Sequence, residues 1–330
     1  MERDDRILVT GGCGSVGSAV VRTLSSERDI DTIYVLDQNE RALFDMQREF
    51  RDDPGVEFIL ADVRDQDRLE QVLRDVDIVV HTAALKHVPL SEANPYEAIK
   101  TNTVGTRRLI NAVEKTDVRC VLGVSTDKAA QPTSVMGATK MLAERLLTAA
   151  NAESEETTYA NVRLGNVLGT SGSVMRIFEE QIADGGPVTV THPDMTRFMI
   201  LVSEAARFIV SAVDRVSGGE VFVPKMDAVR IMDLADVMIE RDAPADVDPA
   251  DVEIDIVGIR PGERLHERLL TDTEARNAVE LDESFVVTPR IEVRNELVSD
   301  GGTELTTPYH SDQANHLSLE EIGELLARAR

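Results

Sequence analysis

Lysine is nearly absent from this 330-residue chain: it occurs only at positions 86, 100, 115, 128, 140 and 225, so 29 of the 35 basic residues are arginine. Against 60 Asp and Glu, these leave a formal net charge of -25. A general nucleic-acid or anionic-membrane binder needs a positive footprint, and this composition excludes both. Tryptophan is missing, and the two cysteines, Cys13 and Cys120, form no C-x-x-C pair and no disulfide framework. That argues against a zinc site and fits a reducing compartment. No apolar run approaches the ~20 residues of a membrane span, and the start, Met1 to Arg6, has no signal-peptide core. The expectation is a soluble, cytoplasmic protein without metal. Internal repeats and low-complexity linkers are lacking too, apart from a short Pro/Asp-rich loop at 243–251.

With 42% hydrophobic residues, the chain can bury a core, so its acidity coats a folded body rather than marking disorder. Its length suits two lobes. An acid-rich, lysine-poor surface stays hydrated when salt screens charge repulsion, so the composition resembles that of proteins from salt-loving organisms. Where lysine is so rare, each one that remains marks a position to question.

β-Branched runs at 7–10, 32–36, 56–60, 78–81 and 120–124 alternate with amphipathic segments such as 41–50 and 67–73. The runs are continuous rather than alternating, as in strands buried on both faces. The pattern predicts an α/β fold, a Rossmann-type doubly wound parallel sheet. From about Gly165 it loosens, with breaks at Gly186-Pro187 and Pro261-Gly262. Residues 1–165 are therefore expected to form a dinucleotide-binding domain with return segments near 205–225. Residues 166–330 would mainly form a smaller, partly interleaved α/β substrate lobe.

The first strand runs into Gly11-Gly12-Cys13-Gly14-Ser15-Val16-Gly17 and a helix. Glycines there permit a tight turn and close approach of a pyrophosphate, which the helix N-terminus stabilises. Asp37 closes the second strand twenty residues past Gly17, where an acid binds ribose hydroxyls. Its carboxylate would repel a 2′-phosphate, which favours NAD. Asn39 and Arg41 follow closely, and an arginine there would accommodate NADP, the alternative. Asp62 and Val63, after the third strand, are placed to contact adenine.

The spacing G-x-x-G-x-x-G resembles the extended short-chain dehydrogenase/reductase superfamily. Ser125-Thr126-Asp127-Lys128 followed by Met136-Gly137-Ala138-Thr139-Lys140 resembles its UDP-N-acetylglucosamine 4,6-dehydratases of capsule and flagellin-glycan biosynthesis. The likeness extends through Ala83-Ala84-Leu85-Lys86-His87-Val88-Pro89, Arg163-Leu164-Gly165-Asn166-Val167, Gly172-Ser173-Val174 and Met195-Thr196-Arg197-Phe198. It continues in Gly258-Ile259-Arg260-Pro261-Gly262-Glu263 and the tail Ser311-Asp312 with Asn315. The resemblance implies a homo-oligomeric lyase with a recycled cofactor, which meets Thr82, Ala83, Ala84, Lys86, Ser125 and Lys140 besides the glycine turn. The usual tyrosine is replaced by Met136, which carries no proton. The C4 hydroxyl proton would then fall to Asp127, to Lys128, or to a water held by Thr126 and Lys140.

Oxidising the C4 carbon of a hexose acidifies its C5 hydrogen; a base can then remove that hydrogen while an acid protonates the departing C6 hydroxyl. Adjacent Lys128 and Asp127 would supply base and acid, with the Lys128 pKa depressed by burial and by nearby Lys140, and that of Asp127 raised. A UDP-sugar brings two further negative charges into an acidic protein, so local cations must offset them. Arg260 is the leading candidate for phosphate, with Glu263 beside it and Arg197 and Lys225 in support. Asn166 and Val174 would meet diphosphate or sugar, Thr189 the uracil, Lys86 both cofactor and sugar, and His87 lies in the same motif. A UDP-hexose 4-epimerase is the competing reading. It shares the C4 oxidation but does not need the acid-base pair.

Overall fold

The computed structural model describes residues 1–170 and 173–329, so Gly172 of the Gly172-Ser173-Val174 motif lies outside the described residues. The first half runs β1 (Arg6–Thr10), α1 (Ser15–Glu27), β2 (Thr32–Asp37), α2 (Glu40–Glu49), β3 (Val56–Leu60), α3 (Gln66–Val72) and β4 (Ile78–His81). Then come α4 (Val88–Ala93), α5 (Pro95–Ala98), α6 (Gly105–Val113), β5 (Cys120–Thr126), α7 (Asp127–Ala130), α8 (Val135–Glu153) and β6 (Thr158–Leu164). The second half runs β7 (Asn166–Leu168), α9 (Val174–Ala183), β8 (Val188–Val190), β9 (Thr196–Leu201), α10 (Val202–Val213), β10 (Val221–Pro224), β11 (Ala228–Arg230) and α11 (Ile231–Asp242). It ends with β12 (Ile254–Ile256), β13 (Arg268–Leu270), α12 (Asp272–Ala275), β14 (Ala278–Glu280), β15 (Ser284–Val287), α13 (Ile291–Ser299), β16 (Thr303–Glu304), β17 (Tyr309–His310) and α14 (Leu319–Arg328).

Ten strands form one sheet in the order β16-β14-β15-β10-β6-β5-β4-β1-β2-β3, parallel from β10 to β3. The valine- and isoleucine-rich strands are buried on both faces: Ile7, Val9 and Val80 pack with α1 and α10 residues on one side, and Leu8, Val79 and Val121 with Leu69 and Leu109 on the other. The chain leaves β1 toward β2 and later toward β4, so the crevice at the strands' carboxyl ends opens beside the glycine turn. β5 runs two residues beyond the expected 120–124, because Ser125 and Thr126 stay in register with Arg163 and Leu164 of β6. Asp127 and Lys128 therefore emerge at the carboxyl edge of the sheet.

The chain returns to this sheet twice. β10 joins β6, and β15, β14 and β16 then extend the sheet antiparallel, so residues 278–304, read from sequence as substrate lobe, cover what would be an open edge of β10. The remaining strands pair as β11-β9-β7, β12-β8 and β13-β17. With α9, α11 and α14 they enclose a separate core that includes Phe178, Leu234, Met238 and Leu326.

Arg163 of β6 ties this frame together. It is buried, and it bonds Glu144 of α8 at 2.7 Å, Glu274 of α12 at 2.9 Å and the Leu269 carbonyl at 2.7 Å. Truncating one partner of a buried pair costs about 3–5 kcal/mol. Glu144→Ala should therefore lower unfolding stability in urea by about 3 kcal/mol, whereas Glu49→Ala, which breaks the exposed Arg22–Glu49 pair, should change it by less than about 1 kcal/mol.

Candidate active site

The glycine turn is shaped to take a group against its backbone. Gly11 has φ +65°, and a Cβ there would lie 2.6 Å from the Ala83 Cα. Thr82 Oγ1 donates to the Thr10 and Gly11 carbonyls, fastening the turn to the end of β4. No side chain caps the first turn of α1, so its amides at Ser15 and Val16 remain available to an anion. The Asp37 carboxylate is aimed by the Cys13 amide at 3.1 Å and the Asn39 amide at 3.0 Å. A cleft of about 140 Å³ joins Gly11, Gly14, Asp37, Asp62, Val63, Thr82, Ala83 and Ala84. In a second, smaller cavity that shares Ala83 with this cleft and is also lined by Lys140, Ser125 Oγ is buried without a hydrogen-bond partner, a group that a ligand hydroxyl would satisfy. These features fit a dinucleotide.

Two of the expected cofactor contacts fall elsewhere. Asn39 uses its side chain to cap α2, accepting from the Ala42 amide, and Arg41 is 93% exposed beside Asp45 on the outer face of that helix. Gln38, not either of them, lines the cleft with Asp37. Asp62 does line it, but its carboxylate also holds Arg64, which keeps its pKa below the usual range.

At the end of β5, Thr126 Oγ1 donates to Asp127 Oδ1 at 2.7 Å, and Lys128 Nζ donates to the same oxygen at 2.9 Å. Lys128 Nζ also donates to Asn166 Oδ1 at 3.3 Å and lies 3.5 Å from Glu267 Oε1. Asp127 is buried and its Oδ2 has no partner. Burial alone would lower the Lys128 pKa, but Asp127 and Glu267 outweigh it and raise the pKa above the ordinary 10.5. This corrects the expected depression, and it is Arg197, not Lys140, that pulls the other way. Lys140 behaves oppositely: among the described residues its Nζ donates only to the Val124 carbonyl, at 2.8 Å, and burial pushes its pKa down to about 8 against a weaker pull from Glu144.

Met136 is buried at the start of α8, where Ser134 caps the helix. A Cβ on Gly137 would strike the Lys128 carbonyl, so glycine is what allows α8 to close on the Asp127-Lys128 turn. His81 bridges Thr10 and Thr106 and is held neutral, its pKa pushed down to about 3 by burial and Lys140.

The expected substrate residues divide. Asn166 reaches Lys128 as described. Lys86 and His87 follow the cleft at the approach to α4, where partial desolvation lowers the Lys86 pKa. Arg260 is exposed, with its amide on Glu263 Oε2, and the next turn docks by the Gly262 carbonyl on Thr133 Oγ1, above the start of α8. Arg197 is not an open cation: it is 6% exposed and donates to the carbonyls of Thr196, Arg264 and Leu265. Lys225 is paired with Glu280 at 2.7 Å over the Phe285 ring, and Thr189 is held by Gln181. Val174 opens α9.

Two residues escaped the sequence reading. Asn102, on a π-helical turn at Ile99–Val104, brackets Leu85 through both its amide and its carbonyl and bonds Thr139, so it sets the loop beside the cleft. Glu267 brings a second carboxylate to Lys128. Its place four residues past Glu263, in the same arginine-rich segment, was the available signal. Among the described residues no group of His, Cys, Asp and Glu is arranged to hold a metal ion, and no helix is long and apolar enough to cross a membrane.

Residues 7–289 match the family model described as polysaccharide biosynthesis protein. The chain is 46% identical over 327 residues, 98% of its length and 96% of the relative's, to a Methanocaldococcus jannaschii protein described as an uncharacterized membrane protein. It is 36% identical over 288 residues to a UDP-N-acetylglucosamine 4,6-dehydratase (inverting) of Campylobacter jejuni, covering 86% and 83% of the two chains. It is 33% identical over 332 residues to a UDP-glucose 4-epimerase of Rickettsia canadensis, covering 98% and 95%. Among solved structures, Pen from Bacillus thuringiensis superposes with TM-score 0.90 at 34% identity over 99% and 98% of the chains. A dTDP-glucose 4,6-dehydratase from Streptomyces venezuelae, solved with NAD and TYD bound, superposes with TM-score 0.69 at 24% identity over 79% and 86%, and shares the fold.

Titration of the lysines in the ligand-free protein, followed by NMR after reductive ¹³C-methylation, should show Lys140 losing its charge near pH 8 and Lys128 above 10.5. Equal midpoints for the two would contradict the geometry.

Proposed function

The chain belongs to the polysaccharide biosynthesis protein family of extended short-chain dehydrogenases/reductases, and from that premise we propose that it is an NAD-dependent UDP-N-acetylglucosamine 4,6-dehydratase. Its product would be a UDP-4-keto-6-deoxy-hexosamine for surface glycans, with C5 inverted as the name of the Campylobacter relative has it. The observation that carries the reading is the Asp127–Lys128 pair, an acid and a base 2.9 Å apart at the carboxyl edge of the sheet.

In this reading the turn at 11–17 and the start of α1 take the pyrophosphate, Asp37 the adenosine ribose, Asp62 and Val63 the adenine side, and Ser125 and Lys140 the nicotinamide end. When bound, the nicotinamide would supply reversible two-electron oxidation of the sugar, a hydride leaving C4 and returning at C6, while the C4 hydroxyl proton would leave through a water held by Thr126 and Lys140, so that the Asp127–Lys128 pair keeps its single proton. The Asn39 side chain is engaged in capping α2 and Arg41 is exposed beside Asp45, so in this reading Asp37 would meet the ribose, which supports NAD over NADP.

The elimination needs a neutral amine and a protonated acid at once, although the resting pair holds one proton on Lys128. Moving that proton from Lys128 Nζ to Asp127 Oδ1 creates both without changing net charge. The amine then takes the C5 proton, the C5–H electrons become the C5–C6 double bond, and the C6–O bond breaks as Asp127 protonates the departing hydroxyl to water. The pair ends as it began, an ammonium beside a carboxylate. Inversion requires the C5 proton to return on the face opposite its departure. Arg260 and Glu263 remain the proposed diphosphate and ribose contacts, whereas buried Arg197 supports the site from beneath.

The epimerase relative favours a second reading, UDP-hexose 4-epimerase. It leaves the acid-base pair without a task, and Met136 stands where that chemistry would want a proton-carrying side chain. Incubation of the enzyme with UDP-N-acetylglucosamine should give a product lighter by one water, with NMR reporting the C5 configuration. A new stereoisomer of unchanged mass would instead establish the epimerase. In Lys128→Ala a dehydratase stalls after C4 oxidation, and reduced nicotinamide accumulates in absorbance, whereas an epimerase continues to turn over.

A further inference from the structure

The tail motif Ser311-Asp312 has no part in the mechanism above, yet Ser311 is completely buried against the segment that carries Glu267. Its Oγ accepts the Glu267 amide at 2.9 Å, and its own amide donates to the Glu267 carbonyl at 2.9 Å. The same hydroxyl shares a 2.6 Å hydrogen bond with Thr196 Oγ1, immediately before Arg197. One residue thus holds the backbone of Glu267 directly and that of Thr196, the neighbour of Arg197, through its carbonyl.

Lys128 faces Asp127 from its own helix α7, Glu267 from the approach to β13, Arg197 from β9 and the neutral amide of Asn166 from β7. Glu267 Oε1 lies 3.5 Å from Lys128 Nζ and 3.8 Å from Arg197 Nε, so one carboxylate serves two cations. Its other oxygen, Oε2, is buried with no partner. The arginine is fixed by three carbonyls and stays charged at any relevant pH, so it weakens the hold of Glu267 on the lysine without abolishing it.

Resting on the dehydratase reading, we propose that Glu267 is a positioning residue: clamped by Ser311, it seats the Lys128 ammonium against Asp127 and opposes early loss of its proton, with Arg197 limiting that hold. The proton transfer from Lys128 to Asp127 then waits for a change at the site, such as the arrival of a substrate diphosphate. In the empty enzyme the pair remains an ammonium and a carboxylate.

The test is titration of Lys128 in the intact ligand-free enzyme. Six lysines yield few ¹³C-methyl resonances, and Lys128 is assigned by the signal missing from Lys128→Arg. Glu267→Gln, isosteric but uncharged, should lower the Lys128 midpoint by about one pH unit or more. The basic limb of the kcat/KM profile should move to lower pH by a similar amount, which a merely structural defect would not do. Glu267→Asp should recover most of the shift, and Ser311→Ala should give a smaller shift in the same direction. An unchanged midpoint in Glu267→Gln overturns the proposal. So, without any variant, does a wild-type Lys128 midpoint at or below the ordinary lysine value of 10.5. The titrations use no substrate. Failure of the wild type to release water from UDP-N-acetylglucosamine would therefore sink the dehydratase reading separately from the clamp on Lys128.

Discussion

Charge compensation at the junction of the sheet and the second lobe constrains everything else in this protein. Asp127, Lys128, Arg197 and Glu267 meet there, largely or wholly removed from water, and their formal charges cancel. They come from three separate stretches of chain, Asp127 and Lys128 being neighbours. A buried charge without a partner costs several kcal/mol, so the edge of β5, strand β9 and the segment before β13 are held where each of the four meets an opposite charge. Arg163, with Glu144 and Glu274, repeats the device behind the site and anchors α8, the helix of Met136 and Lys140, to the returning chain. The two buried arginines among the described residues thus serve as joints, while the exposed ones meet solvent and surface carboxylates.

Two lysines a helix apart show how local partners decide chemistry. Both lose hydration, which disfavours the ammonium. Lys140 has a backbone carbonyl and a more distant glutamate, and its pKa falls to about 8; Lys128 has two carboxylates, and its pKa rises. In the proposed elimination, a base that rests as an ammonium suits a pair that shares one proton: the acid and the base would arise together by one short transfer, and neither would have to be maintained in an unfavourable ionisation state between turnovers.

Much of the fold was legible because its signals are local. The strands of the parallel sheet are short β-branched runs, and the glycine turn, the Asp37 that closes β2 and the Ser-Thr-Asp-Lys edge of β5 are contiguous in sequence. Scarcity of lysine pointed to Lys128 and Lys140, while Lys100 and Lys115 turn out to pair with Glu97 and Glu70 at the surface. The second return to the sheet was not legible. Three strands of two to four residues in an irregular region do not announce which edge they cover. The surroundings of Asn39, Arg41 and Arg197 were not legible for a related reason: proximity in sequence to a motif does not say which way a side chain points. Asn39 caps a helix, a row of carbonyls holds Arg197, and Arg41 is exposed beside Asp45.

By itself, then, the sequence determined the class of fold, the position of the glycine turn and the adjacency of Asp127 and Lys128 at the end of a strand, since each depends on residues along one local run of chain. Only the tertiary structure decided the ionisation of that pair. The raised pKa of Lys128 depends on Glu267 and Arg197, which local sequence does not place beside it, and on the burial that strengthens every charge-charge interaction among them.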